Sequence, residues 1–416
     1  MSADLSATAR LDCANTPDSA RRRLAIGFLN LAHGLDHFVI LIYPTVVIEL
    51  EVVYGESYAT LIALSTALFV SFGLFSLPAG WLGDRWSRRN MMLAFYLGCG
   101  LSLVGAALAP SLLFLALALF ALGAFAAIYH PVGTAMIIET STRRGRSLAF
   151  NGVCGNLGVS LAAGITAALT SALSWRGAFL IPGLICIAVG AIYLWLVPRD
   201  NRQAEKRSAA AEVALSAPVA AIIFGLFVVV ALSAGLVFNT ISVALPKIID
   251  ERVGGGGIPL LEVGGLTTAV FLCGAVAQIS VGRLVERFPP HILFAISAVA
   301  QFAGVVWTAR AAGVSLLIAL AFTMAAIYGQ ITLNDLVIAR YTADAWRGRV
   351  YALRYFLTFM VSGLAVSMIA FLYGRGGFDL VLGTTAFAAL GFLVGVLSIA
   401  CIATRVEKTR LLQPAE

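Results

Sequence analysis

His33, Asp36 and His37 stand at i, i+3 and i+4 inside one apolar run, and His130 lies in another, directly after Tyr129. On a helix the first three share a face. A carboxylate and imidazoles gathered in an apolar setting can exchange protons near neutrality and hold the polar end of a small molecule. Ionisable groups at membrane depth cost about 2.5–3.5 kcal/mol each on insertion scales, so they usually face a cavity or a partner. Two other readings stay open. Asp36 and one histidine can form a static pair that packs helices, or the histidines and the carboxylate can ligate a metal. The rest of the chain supplies no second ligand set, so no metal site and no cofactor is assigned.

The elements that must position these residues follow from composition. Of 416 residues 60% are hydrophobic and 12% charged, against about half and about a quarter in soluble domains. A crossing takes about 20 apolar residues for a core of roughly 30 Å, and helices satisfy their own backbone there. Twelve spans are predicted, at 24–48, 58–82, 91–109, 111–138, 148–171, 177–197, 218–245, 262–284, 291–309, 314–338, 350–374 and 379–404. Counting alternate loops as inside collects 23 of the 28 Lys and Arg, which predicts both termini in the cytoplasm. His33 and His130 then lie at similar depths, about 12–14 Å from the cytoplasmic side at roughly 1.5 Å per residue. The net charge of +7 is spread over short loop clusters, which speaks against a nucleic-acid surface. The six cysteines, Cys13, Cys99, Cys154, Cys186, Cys273 and Cys401, show no ligand-type spacing.

The chain is duplicated. Gly80-Trp81-Leu82-Gly83-Asp84-Arg85-Trp86-Ser87-Arg88-Arg89 returns at Gly282-Arg283-Leu284-Val285-Glu286-Arg287, and Pro44 is matched by Pro246. Ala126-Ala127-Ile128-Tyr129 is matched by Ala325-Ala326-Ile327-Tyr328. The expected organisation is a cytoplasmic tail at 1–23, a six-helix half at 24–197, a linker at 198–217, a second half at 218–404 and a tail at 405–416.

Gly80, Leu82, Asp84, Arg85, Arg88 and Arg89 fit the G-x-L-a-D-R-x-G-R-[RK] signature, and on them the chain resembles the major facilitator superfamily, with Ser87 where that family usually has glycine. The segments His33-Gly34-Leu35-Asp36-His37, Ile128-Tyr129-His130-Pro131 and Phe150-Asn151-Gly152-Val153-Cys154-Gly155-Asn156-Leu157-Gly158 resemble its fosmidomycin-resistance branch of efflux proteins. Exporters of the family often carry a Gly-Pro pair in the fifth helix; here there are Gly155, Gly158 and Gly164 without proline. The resemblance implies an all-α polytopic membrane protein, two pseudo-symmetric six-helix halves that alternate around a central site lined by helices 1, 4, 7 and 10. On those helices the expected site residues are His33, Asp36, His37, Tyr129, His130, Asn239, Tyr328 and Gln330. The expected cytoplasmic gate is Gly80, Asp84, Arg85, Arg88, Arg89 and Glu139, with Gly282, Glu286 and Arg287 as its weaker copy. In that gate Arg88 or Arg89 reaches Glu139, and Asp84 meets a helix N-terminus of the other half when the cytoplasmic side closes. Asp335 and Arg354 are expected to pair near the same face, and Phe69, Phe72 and Phe75 to serve as core or lipid contacts.

No catalytic constellation competes. Gly254 to Gly257 lacks the Lys-Ser/Thr of a phosphate loop, so uphill movement would draw on an ion gradient. The expectation is a monomeric secondary transporter of the plasma membrane, a bacterial inner membrane, working by proton-coupled efflux of a small organic molecule, with no nucleic-acid partner. The alternatives are an importer or uniporter of a small organic anion, a metal or metal-chelate transporter, and a membrane sensor that does not transport.

Overall fold

The computed structural model describes residues 17–141, 144–197, 217–341 and 344–411. Most of the expected tails and linker therefore lies outside the described residues, as does the side chain of Arg354, the expected partner of Asp335.

All regular structure among the described residues is helical. Ten apolar helices each suit one crossing: α1 (Ala20–Tyr54), α2 (Tyr58–Arg85), α3 (Arg88–Ala107), α4 (Leu112–Thr140), α5 (Gly145–Leu173), α6 (Trp175–Leu196), α7 (Ala221–Gly254), α8 (Leu260–Leu284), α9 (Pro290–Arg310) and α10 (Gly313–Ile338). The last, Phe356–Arg405, has 50 residues, about 75 Å of helix at roughly 1.5 Å per residue and more than twice a bilayer core. It is interrupted where Gly377 adopts φ 58°, ψ −156°, a conformation only glycine takes readily. Two crossings result, α11 (356–375) and α12 (378–405). Arg252 of α7 holds Asp379 at the start of α12, and Val230, near the other end of α7, meets Gly395. The chain therefore doubles back at Gly376 and Gly377.

Local chemistry sets the helix ends. Ser57, Ser87 and Ser111 cap α2, α3 and α4 by accepting from the backbone N–H of Thr60, Asn90 and Phe114. Ser87 stands comfortably where the signature has glycine, because its backbone is extended (φ −163°, ψ 124°) and its hydroxyl makes that cap. Helix α1 is interrupted at Leu41, since Pro44 has no N–H to return to the Ile40 carbonyl. Helix α4 carries a π-helical turn at Tyr129–Gly133, a distortion often found at functional sites.

Helices α1 and α5 pack backbone to backbone. A Cβ at Gly158 would lie 2.0 Å from the Gly34 carbonyl oxygen. Gly158→Val is expected to force the pair apart and cost about 1–3 kcal/mol by overpacking; a thermal unfolding midpoint in detergent equal to that of the native chain would contradict this. The first and last six helices join along α5 and α8, where the Asn156 amide donates to the Gln278 amide oxygen and the Gly164 N–H to Thr268 Oγ1 at 3.1 Å. They also join along α2 and α11, where the Ser362 hydroxyl reaches the Phe69 carbonyl at 3.4 Å. Large apolar side chains on the outside, such as Trp195 at 84% and Phe387 at 79% exposure, form the surface a bilayer covers.

Candidate functional site

The i, i+3, i+4 face of α1 and the π turn of α4 meet. Asp36 is fully buried, and its Oδ2 lies 3.4 Å from His130 Nε2. Ring centroids are 5.0 Å apart for His33 and His37, 5.4 Å for His33 and His130, and 5.3 Å for His37 and His130. All three histidines are partly exposed. His33 Nδ1 donates to the Asn151 carbonyl at 2.8 Å, so in the neutral ring its Nε2 keeps the lone pair.

Tyr129 stacks on His33 at 4.8 Å and 22°, and its hydroxyl donates to Asn151 Oδ1 at 2.9 Å. The Asn151 amide in turn donates to Asn30 Oδ1 at 3.1 Å and to the Leu29 carbonyl at 3.3 Å. One α5 side chain thereby ties α1 to α4 and holds Tyr129, which fixes the position of His33. Asn151→Leu leaves the buried Tyr129 hydroxyl and the Asn30 amide without this partner, at an expected cost on the order of 2–4 kcal/mol. A lowered unfolding midpoint together with weakened ligand binding is the expected result; an unchanged midpoint contradicts it.

His130 is walled by two phenylalanines. Phe72 of α2 lies 6.2 Å away, and Phe359 of α11 lies 5.0 Å away. Phe72 is thus a wall of the cluster as well as a core residue, and Phe359 is the contact through which the second half touches it. The three second-half candidates sit apart. Asn239 donates to the Gly235 carbonyl of its own helix at 2.8 Å. The Tyr328 hydroxyl and Gln330 Oε1 are buried without a hydrogen bond, and the Tyr328 ring lies 6.2 Å from Phe238. None of the three makes a hydrogen bond, ion pair or ring contact with the histidines or Asp36 among the described residues.

The hinge is wired to the cluster through the backbone of α4. Gly80 lies against Pro131 and Gly83 against Val132, both in the π turn that carries His130. Arg88 bonds Asp84 at 2.6 Å and also Glu139. These three residues all belong to the first half, so the triad ties α2, α3 and α4 into one unit. Arg89 donates to the Leu194 and Val197 carbonyls at 2.6 and 2.8 Å and caps the C-terminus of α6. Arg85 lies 4.5 Å over the Trp81 ring. At the repeat, Glu286 and Arg287 are exposed and form no ion pair among the described residues, and a Cβ at Gly282 would meet open space.

A second polar cluster lies at the end of the bundle away from the hinge. Lys247 of α7 pairs with Glu51 of α1 at 2.6 Å, with Asp250 at 3.0 Å and with Glu251 at 3.7 Å. Tyr373 of α11 donates to Glu251, and Tyr58 of α2 packs on Tyr373 and on Phe378, at 4.8 and 6.1 Å. The two halves are held shut here. The sequence offered one signal for this seal, a lysine on the side poor in positive charge with Asp250 and Glu251 one turn after it, and span boundaries set by hydropathy put those residues into loops.

Comparisons with known proteins agree with this architecture. The profile of the Major Facilitator Superfamily matches residues 26–256. A bacterial homologue of the human lysosomal transporter Spinster, solved in an inward-facing and occupied conformation, superposes with a TM-score of 0.71 at 14% identity, covering 95% of this chain and 99% of that one. The same homologue, inward-facing and unoccupied, gives 0.69 at 14% identity over 93% and 95%. A D-xylose–proton symporter gives 0.70 at 13% identity over 90% and 96%. Likeness at these identities is likeness of fold. A search of curated protein sequences finds no match.

Proposed function

Because this chain belongs to the Major Facilitator Superfamily and is an integral membrane transporter by fold and family, we propose that it exports a small organic molecule by alternating access in exchange for protons. The observation that carries the reading is the pairing of a sealed far end with a buried carboxylate at mid-bundle. With Lys247 and Glu51 holding the halves together, the partly exposed histidines are reached from the hinge end. The excess of Lys and Arg at that end supports a cytoplasmic location for it and for both termini, in a bacterial inner membrane on this reading. Cargo enters the cluster from inside, the far end opens, and the charge of Asp36 is neutralised by a proton on the return. The resemblance of the His33–His37 and Asn151–Gly158 segments to efflux proteins supports the outward direction.

The gate follows from the hinge contacts. The Asp84–Arg88–Glu139 triad moves as one body with α2, α3 and α4, and Gly80 and Gly83 pass that motion to the π turn beside His130. Cargo is found first by thermal shift in detergent across antibiotics, organic anions and divalent metals, because a ligand raises the apparent stability of the state that binds it. Counterflow of a stabilising compound in proteoliposomes is the expected result. Binding without any flux across the panel would instead favour a membrane sensor.

A further inference from the structure

The cluster also carries the chemistry of a metal site. His33 and His37 come from adjacent turns of α1 and His130 from α4, and one ligand nitrogen of each lies within 4.8 Å of the others. Nitrogen atoms around a tetrahedral ion at a bond length of about 2.0–2.1 Å stand roughly 3.4 Å apart, so the rings close on an ion by small side-chain rotations. His33 keeps one ring nitrogen available for an ion. Its Nδ1 donates to the Asn151 carbonyl, the outer-shell bond that fixes tautomer and aim in histidine–metal sites. Beside the rings, both carboxylate oxygens of Asp36 are buried, and Oδ2 lies 3.4 Å from His130 Nε2. Around them Tyr129, Phe72 and Phe359 form an aromatic wall.

We infer that His33, His37 and His130 bind a divalent first-row transition-metal ion, presented free or within a small organic chelator, with Asp36 as the balancing charge. This rests on the proposed transport reading only in making the ion or its complex the cargo; the site itself stands on the geometry. Imidazole ligands suit zinc, cobalt, nickel, copper and iron. One carboxylate offsets half of a divalent charge, which leaves the bound ion positive and suited to an anionic chelator.

The test is a titration of the purified full-length chain in detergent with Co2+, read by its visible absorption, in one arm as the chloride and in the other as the citrate complex. The expected result is an intense tetrahedral band saturating at one ion per chain in at least one arm, and the arm that saturates first identifies the free ion or the complex. Removing one ligand by His37→Ala is expected to weaken binding by more than the roughly 10- to 100-fold typical of outer-shell partners. His37→Asn guards against misfolding, and His291→Gln, in the second half, should leave the band unchanged. No band in either arm, or an equal band in a variant lacking all three first-half histidines, overturns the inference. The outcome is separable from the transport reading: flux without a band removes the metal alone, and a band without flux removes the transporter alone.

Discussion

Asp36→Asn is expected to abolish transport driven by a pH gradient while leaving the protein folded. The side chain has no exposure to solvent, and its one ion-pair partner among the described residues is His130 at 3.4 Å. Asparagine keeps the shape and removes a fully buried ionisable group, so the fold is expected to hold. The cycle loses more. With a neutral group at this position nothing requires a cation on the return step, so the gradient no longer biases the direction in which the halves move. A coupling of roughly 3 kcal/mol corresponds to about 100-fold in gradient-driven flux. Downhill exchange of cargo should survive. A variant that is as fast as the native chain and equally dependent on the imposed gradient would remove Asp36 from coupling.

Lys247→Met carries the second large effect. One ammonium, 10% exposed, serves three carboxylates, of which Asp250 is 6% exposed. Without it Glu51, Asp250 and Glu251 face one another with no cation between them. Breaking a buried pair in this way costs about 3–5 kcal/mol, and since Glu51 and Glu251 keep some contact with water, the lower end applies. That penalty falls on the sealed state alone, because opening the far end hydrates the carboxylates. At about 1.4 kcal/mol per factor of ten, the balance moves toward the open far end by roughly 100-fold. Spin labels at Val52 and Leu261, which are 86% and 53% exposed, in a background with the native cysteines replaced, report the change. A longer distance population in the Lys247 variant is expected; a distribution identical to that of the native chain contradicts the seal.

Much of this architecture was legible in the sequence, for reasons that differ by element. Hydropathy located the crossings, and the break between the last two spans, expected between 374 and 379, falls at Gly376 and Gly377. The first-half cluster was legible because spacing alone puts His33, Asp36 and His37 on one face, and equal depth brings His130 level with them. Three things were not. The π turn leaves no trace in apolar periodicity, although it aims His130. Phe359 meets His130 only through the packing of α11 on α2, a tertiary contact that no local pattern encodes. The Lys247 seal was hidden because its charges stand at helix ends, where hydropathy reads loop, although α1 continues to Tyr54 and α7 to Gly254. Internal symmetry was a sound guide to the fold and a poor one to the chemistry. Tyr129 and Tyr328 occupy matched positions, yet only Tyr129 has an asparagine to bond. The two hinge motifs likewise match, yet only the first carries an arginine bridging two acids.

Exchange of cargo for protons across one alternating site is tested most directly by following protons and cargo together. Proteoliposomes holding the native chain, loaded with a compound that stabilises it and with a trapped pH-sensitive dye, should acidify inside as the cargo leaves. The acidification should vanish in Asp36→Asn. Cargo leaving the native chain with no accompanying proton movement would contradict the account.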